Sequence, residues 1–352
     1  MLPPFSLSLA VLCDADFFCQ RFQSNLTRGQ LKSFYAKLLD QVRLPHFNRL
    51  TGLRWWRHLR NRNDSVEARQ QADTKIADLL ASPQPCAIGK IGTTELMGLE
   101  YLYRWIQPLW PSSASWRRPA RRLYDCSGLF PVRRDIYIRW SQEYGSALHQ
   151  MDYVAQWQPS DTYLSVMEDL LIRELAPSSF RGSIDFLHFW GRNSPWLDTL
   201  AGLRWLVIHP FANTIRLQLP KMPLFGIFTE KCRDLLQQRA ADTRLISCPQ
   251  FAYMVPPTHR DWFHSFDEMK SQMESADFDI ALVGAGAWSL PLVAHAKKIG
   301  KKGIHMGGAL QLLFGIKGSR FDCGVRYNEH WIRPLGDETP ANCRLMEEGA
   351  YW

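Results

Sequence analysis

The chain has 352 residues, 46% hydrophobic and 22% charged, which is typical of a globular protein with one large domain or two smaller ones. No apolar run reaches the roughly 18 residues that a membrane-spanning helix needs. The apolar start lacks a preceding basic segment and a small-residue cleavage site, so we do not expect a secretory signal. The eight cysteines contain no Cys-x-x-Cys pair. This disfavours zinc and favours reduced thiols in a cytoplasmic protein.

The net charge of +8 is concentrated in the first 150 residues. That part holds 21 Lys and Arg against 12 Asp and Glu, and the remainder holds 21 against 22, so the two balances are +9 and −1. Such asymmetry suggests an anionic partner, either a phosphorylated substrate or a membrane surface, and the alternative is a solvated basic face without a partner. No nucleic-acid-binding signature is present, so nucleic acid is not expected as a partner.

Helices are predicted before the first strand. Apolar residues recur at helical spacing over residues 31–42, and Pro45 ends the pattern. After an arginine- and tryptophan-rich segment, Ser65 is a predicted cap for a helix that runs through Leu80. We therefore assign residues 1–80 to a basic helical N-terminal extension.

A strand, a glycine turn and a helix follow. The run Cys86–Ile91 predicts a strand, Gly92–Thr94 the turn, and Glu95–Trp105 a helix capped by Thr93 or Thr94. The segment Pro108–Arg122 is rich in Pro, Ser, Trp and Arg, which predicts a surface loop or lid. The segment Leu129–Trp157 is predicted to be helical.

In the second half, short apolar runs alternate with helical patterns. The predicted strands are Ser183–Trp190, Trp205–Ile208, Arg244–Cys248, Ile280–Val283 and Gly303–Met306. The predicted helices are Pro195–Leu200, Asp261–Met273 and Leu290–Lys298. This alternation predicts a Rossmann-like, doubly wound α/β fold with a mostly parallel sheet. Ligands of such sheets bind at the carboxyl ends of the strands.

The loop after Val283 is the first candidate site. Gly284 and Gly286 allow close backbone approach, and free N–H groups at the following helix start can bind a phosphate or a nucleotide. The alternative is a tight turn with close helix packing. Ser289 stands where a dinucleotide fingerprint has its third glycine, and no acidic residue ends the next strand. Both departures disfavour an NAD enzyme.

Other strand ends carry polar residues suited to a sugar or a base. The strand end at His305 is followed by paired glycines and Gln311, and the strand ending at Ile208 is followed by His209 and Asn213. Glu95 can hold a divalent metal, orient a hydroxyl or act as a base, or it can simply interact favourably with the helix macrodipole. The candidate binding residues are Gly92, Thr93, Thr94, His209, Asn213, Gly284, Gly286, Ala287, Ser289, His305, Gly307, Gly308 and Gln311, with Glu95 as catalytic or metal-binding residue.

Three of these motifs in order, Ile88–Glu95, Ala281–Trp288 and Ile304–Gly307, resemble the GT-D-type glycosyltransferases over roughly residues 80–325. The resemblance implies a Rossmann-like nucleotide-sugar enzyme in which an Asp-x-Glu pair holds a divalent metal on the donor diphosphate. Here the Glu position is Glu95, but the Asp position is Thr93, and Lys90 stands where an arginine often precedes the turn. Asp125 or Asp185 could supply the second carboxylate from elsewhere in the chain.

The leading hypothesis is a cytoplasmic glycosyltransferase that moves a sugar from a nucleoside-diphosphate donor to a glycan, lipid-linked or protein acceptor. Its cofactor would be Mn²⁺ or Mg²⁺, and its basic N-terminal part could dock at the inner membrane face. The alternatives are an oxidoreductase on the same βαβ unit and a non-catalytic nucleotide-sugar-binding member of the fold. In this interpretation residues 81–326 form the GT-D-like domain and residues 327–352 an irregular, packed tail.

Overall fold

The computed structural model describes residues 66–102, 116–157, 163–191, 193–249 and 254–352. The predicted helix over residues 31–42 and the arginine-rich segment after it lie outside these ranges. Within them, no helix is both long and apolar enough to cross a bilayer. The six cysteines in these ranges form no disulfide with one another, which agrees with the expectation of free thiols.

Seven strands form one sheet in the order β3-β2-β1-β7-β6-β4-β5, and every neighbouring pair is parallel. The doubly wound α/β prediction is therefore confirmed. The central strands are buried on both faces, as expected for a parallel sheet covered by helices. The strands are β1 Ala87–Lys90, β2 Tyr153–Gln156, β3 Phe180–Ser183, β4 Trp205–His209, β5 Arg244–Ser247, β6 Ile280–Val283 and β7 Lys302–His305.

Helices cover both faces of the sheet, and each face has its own apolar core. The first face carries α2 Thr93–Gly98, α3 Arg117–Ser127, α4 Arg134–His149, α5 Tyr163–Leu175, α9 Trp262–Ser275 and α10 Ser289–Lys298. The second face carries α1 Val66–Ala81, α6 Pro195–Ala201, α7 Ala212–Gln218, α8 Arg233–Asp242 and α11 Ala309–Leu313. Ile76 and Leu80 of α1 are buried in this second core, so that helix packs on the sheet domain.

Each connection between consecutive strands crosses one face of the sheet, and this determines which face its helices cover. The connections from β1 to β2 and β3, and from β5 through β6 to β7, run over the first face. The connections from β3 to β4 and β5 run over the second. As a result, the elements that follow β4, β6, β7 and β1 leave the sheet on alternating faces. Neighbouring strands whose connections diverge leave a crevice at their carboxyl ends, where ligands of open α/β sheets bind.

Three sequence predictions are wrong in part. The predicted helical segment Leu129–Trp157 contains α4 but also β2, because a four-residue strand is too short to show a period of two. The predicted strand Ser183–Trp190 is wrong beyond its first residue, because β3 ends at Ser183. The Ser183 side chain accepts a hydrogen bond from the Asp185 backbone N–H, and a 3₁₀ turn begins there. The predicted surface loop is helical from Arg117 onward as part of α3, and residues 103–115 lie outside the described ranges.

Candidate functional site

A cleft of about 440 Å³ opens at the carboxyl ends of the central strands. Loops that follow β1, β4, β5, β6 and β7 contribute to its walls. Ten of the fourteen sequence-predicted site residues line it, namely Gly92, Thr93, Thr94, Glu95, His209, Gly284, Gly286, His305, Gly307 and Gly308. Motifs that are more than 200 residues apart in the chain therefore face one space, as the parallel topology requires.

Glu95 is the buried carboxylate of the cleft, with 7% of the residue exposed. The N-cap of α2 is Gly92, and no side chain caps it, so the predicted capping by Thr93 or Thr94 is wrong. The Glu95 carboxylate folds back over Gly92, into the space that a Cβ there would occupy. Burial raises the pKa of Glu95, while hydrogen bonds from Ser127 and from its own backbone N–H, and the nearby Lys90 ammonium, oppose the rise.

Lys90, the last residue of β1, places a cation opposite this carboxylate. Its ammonium lies over the Trp157 ring, 4.8 Å from the centroid, and the Trp157 indole N–H donates to the Ile91 carbonyl at 2.7 Å. Burial lowers the pKa of Lys90, and the neighbouring Glu95 carboxylate opposes this. A partly desolvated ammonium beside a buried carboxyl group forms a site that interacts strongly with an incoming anion.

The two histidines of the cleft are held as opposite tautomers. His209 Nδ1 accepts the Phe211 backbone N–H at 3.0 Å, so its proton sits on Nε2. His305 Nδ1 lies 3.0 Å from the Lys90 carbonyl oxygen, which can only accept, so its proton sits on Nδ1 and Nε2 is an acceptor. Burial lowers the pKa of His209 to about 3. Burial, together with Lys90, lowers that of His305 well below its usual range. Both rings are neutral at physiological pH, one a donor and the other an acceptor.

The glycine loop after β6 packs against Ser127, which hydrogen-bonds to the Glu95 carboxylate. Gly286 has a φ of +53°, and a Cβ there would stand 2.6 Å from the Ser127 carbonyl oxygen, so only glycine fits. Ser289 is fully buried, and its hydroxyl accepts the Ala285 backbone N–H at 2.8 Å. The serine at the third-glycine position therefore stabilises the loop through an internal hydrogen bond, and its hydroxyl does not face the cleft.

Four predicted residues do not line the cleft. Ala287 and Ser289 face the core. Gln311 is fully buried and donates to the Tyr351 carbonyl at 3.1 Å. Asn213 is exposed and donates to Asp337 at 3.0 Å.

In the sequence, Asn213 and Thr214 stand where either could cap the helix that follows β4. That expectation is wrong, because Phe211 is the N-cap of α7 and a distant carboxylate replaces a local side-chain cap. Glu338 accepts the backbone N–H groups of Asn213 and Thr214 at 2.6 and 2.9 Å.

Sequence reasoning missed the side of the cleft that the tail forms. Glu347, Tyr351 and Trp352 of the tail line this side together with Arg320, which precedes the tail. Trp352 packs edge-on against Phe211 with the ring centroids 5.9 Å apart. The terminal pair of aromatic residues signalled packing but not its place. Other lining residues that belonged to no motif are Arg122, Cys126, Ser127, Trp157 and Cys248.

Among the described residues, the lining of the cleft does not supply the ligand set of a divalent ion. Within the described residues, no three His, Cys, Asp or Glu side chains converge as a metal-binding group. Asp125 lies outside the cleft lining and pairs with Arg121, and Asp185 likewise pairs with Arg69. Glu95 already accepts two hydrogen bonds beside an ammonium group. We therefore derive no chemical step through a metal.

Comparisons with protein-family models, with curated proteins and with solved structures found no match to this chain.

Proposed function

We propose that the protein is a glycosyltransferase that uses a nucleoside-diphosphate sugar as donor. The observation that carries the proposal is the position of Glu95. This buried carboxyl group with a raised pKa lies beside the ammonium of Lys90, in a cleft lined by the glycine loops of two central strands. This supports the proposal because sugar transfer from such a donor requires a base and a site for a diphosphate in one space.

The proposed reaction breaks the bond between the anomeric carbon and the diphosphate oxygen and forms one between that carbon and an acceptor hydroxyl oxygen. The leaving oxygen keeps the electron pair. Lys90 and Arg320 would stabilise its charge. Glu95 would accept the acceptor's proton, and a carboxylate whose pKa is raised is a stronger base than an exposed one.

The histidines and the aromatic residues suit the remaining parts of the donor. The Nε2–H of His209 can donate to a sugar hydroxyl, and His305 Nε2 can accept from one. Trp157, Tyr351 and Trp352 offer ring faces and edges to a base or a sugar. The acceptor, whether a glycan, a lipid-linked sugar or a protein, and the docking of the basic N-terminal part at a cytoplasmic membrane face belong to the same proposal.

A ligand panel followed by a transfer assay tests the function. A nucleoside diphosphate at about 100 times its Kd should stabilise the protein by about 2.7 kcal/mol, whereas NAD should leave the melting temperature unchanged. The matching nucleotide sugar should then be consumed, and the Glu95→Gln variant should bind it without turnover. Stabilisation by NAD alone would exclude the transferase. Binding without turnover by the native chain, with and without Mn²⁺, would indicate a non-catalytic binding protein.

A further inference from the structure

Two cations flank the paired glycines at the end of β7. The Lys90 ammonium nitrogen lies 3.5 Å from the position that a Cβ on Gly307 would take, and Arg320 Nη1 lies 3.5 Å from the corresponding position on Gly308. Because neighbouring Cα atoms are about 3.8 Å apart, the two positive charges follow each other along one short loop of the cleft wall. Each cation can therefore contact one group of a ligand that carries two linked anionic groups.

A carboxylate of the protein already holds the second of these cations. Arg320 forms an ion pair with Glu347, and its guanidinium also lies over the Tyr351 ring, 4.1 Å from the centroid. Both members of the ion pair line the cleft. Glu347 is exposed, so its carboxylate can leave Arg320 without becoming a buried, unpaired charge.

An unusual backbone presents this carboxylate. Glu347 and Glu348 have φ values of +44° and +58°, a region that residues other than glycine rarely adopt. Two contacts hold the segment in place: the Ser319 hydroxyl donates to the Gly349 carbonyl at 2.9 Å, and the Arg320 backbone N–H donates to the Ala350 carbonyl at 3.2 Å. Backbone strain of this kind persists where the surroundings impose it, and it clusters at ligand sites.

We propose that the Glu347 carboxylate occupies, at Arg320, the position that one phosphate group of the ligand takes when it binds. Glu347 is then a specificity-determining residue. A ligand with two linked phosphates gains Lys90 and displaces Glu347 from Arg320, since a guanidinium binds phosphate through strong bidentate hydrogen bonds. A single phosphate is satisfied at Lys90 and leaves the Arg320–Glu347 pair intact. The inference rests on the proposed function, because it assigns the diphosphate of the donor to this loop.

Titration calorimetry with two inorganic probes tests it on the full chain. In the Glu347→Gln variant, the affinity for pyrophosphate should increase about threefold to fivefold, as expected when one exposed ion pair no longer competes. The affinity for orthophosphate should change less than twofold. Arg320→Gln should weaken pyrophosphate binding to the level of orthophosphate. Glu348→Gln is the matched control, because it removes a neighbouring exposed charge with the same backbone conformation and should change neither affinity.

The outcomes separate this inference from the proposed function. Weaker pyrophosphate binding by Glu347→Gln would mean that Glu347 positions Arg320 for the ligand. Equal gains in affinity for both probes would mean that one phosphate suffices to displace Glu347. Either result overturns the proposal, as does the absence of pyrophosphate binding in every variant. Sugar transfer by a protein whose Glu347→Gln variant binds pyrophosphate unchanged would leave the function standing and the inference refuted. The expected affinities without sugar transfer would support the inference about Glu347 and refute the proposed function.

Discussion

Replacing Gly286 by alanine tests whether the loop after β6 supports Glu95 through Ser127. The new Cβ meets the Ser127 carbonyl oxygen at 2.6 Å, on a backbone with φ +53°. The left-handed conformation costs a non-glycine residue about 1–2 kcal/mol. Relief of the clash by moving the end of α3 adds about 1–3 kcal/mol. We expect a loss of about 2–5 kcal/mol in the free energy of unfolding. For a chain of 352 residues, this lowers the melting temperature by roughly 3–7 °C.

Gly300→Ala is the matched control. Gly300 has a φ of +77°, but a Cβ there meets nothing within 4 Å, so this variant pays only the conformational cost, about 1–2 kcal/mol. The difference between the two variants in urea unfolding measures the contact with Ser127. In addition, displacing Ser127 removes a hydrogen bond to the Glu95 carboxylate, so the Glu95 pKa, followed by carboxyl ¹³C chemical shifts, should rise in Gly286→Ala alone. Equal destabilisation of both variants, or an unchanged Glu95 pKa, would refute the coupling.

Three further predictions concern charged groups. Glu95→Gln should lower turnover by about 10²–10⁴-fold. Because burial raises the folded-state pKa of Glu95 above its unfolded value, the native chain loses stability as the pH rises above about 4. The thermal stability of the variant relative to the native chain should therefore increase as the pH rises above about 4, and a constant difference would contradict this. Lys90→Met should weaken pyrophosphate binding and reduce its salt dependence in calorimetry, and an unchanged affinity would remove Lys90 from the site. Glu338→Gln should cost about 1–3 kcal/mol in urea unfolding, because it weakens the cap of α7, whereas the exposed Asp337→Asn should cost less than 1; equal losses would refute the capping role.

The fold was predictable because its signals are local. Each apolar run from β4 to β7 ended at a turn signal, and the alternation with helices is enough to predict a parallel sheet. The same rule brought His209, Glu95 and His305 together, since the carboxyl ends of parallel strands share one edge. Strand β2 was missed because it spans four residues, and its place is fixed by pairing with β1 and β3.

The orientation of side chains was less predictable. Ser289 looked like a ligand contact because of its place in a glycine loop, yet its hydroxyl closes that loop internally. Asn213 had the chemistry of a cap, but Glu338, more than 120 residues away, supplies the carboxylate. Arg320 carried no motif, because its role depends on the return of the tail to the cleft. The Ser289 contact is local, but a glycine-rich turn does not show whether a hydroxyl faces the loop or a ligand. Contacts between residues distant in sequence decide the cases of Asn213 and Arg320, and a single sequence contains no local trace of them.

The tail joins two parts of the cleft that have different chemistry. Glu338 caps α7 after β4, and its backbone carbonyl accepts the Trp352 indole N–H at 2.9 Å. The backbone carbonyl of Trp352 in turn accepts the Ser319 backbone N–H at 3.1 Å. Ser319 precedes Arg320, whose guanidinium lies beside Gly308 in the loop after β7. A change at Glu338 should therefore disturb both stability and ligand binding, since it loosens the wall that holds Arg320. A change at the exposed Glu347 side chain should alter ligand charge preference alone. Comparing the stability and the ligand binding of the two variants therefore separates the structural role of Glu338 from the role of Glu347 in ligand specificity.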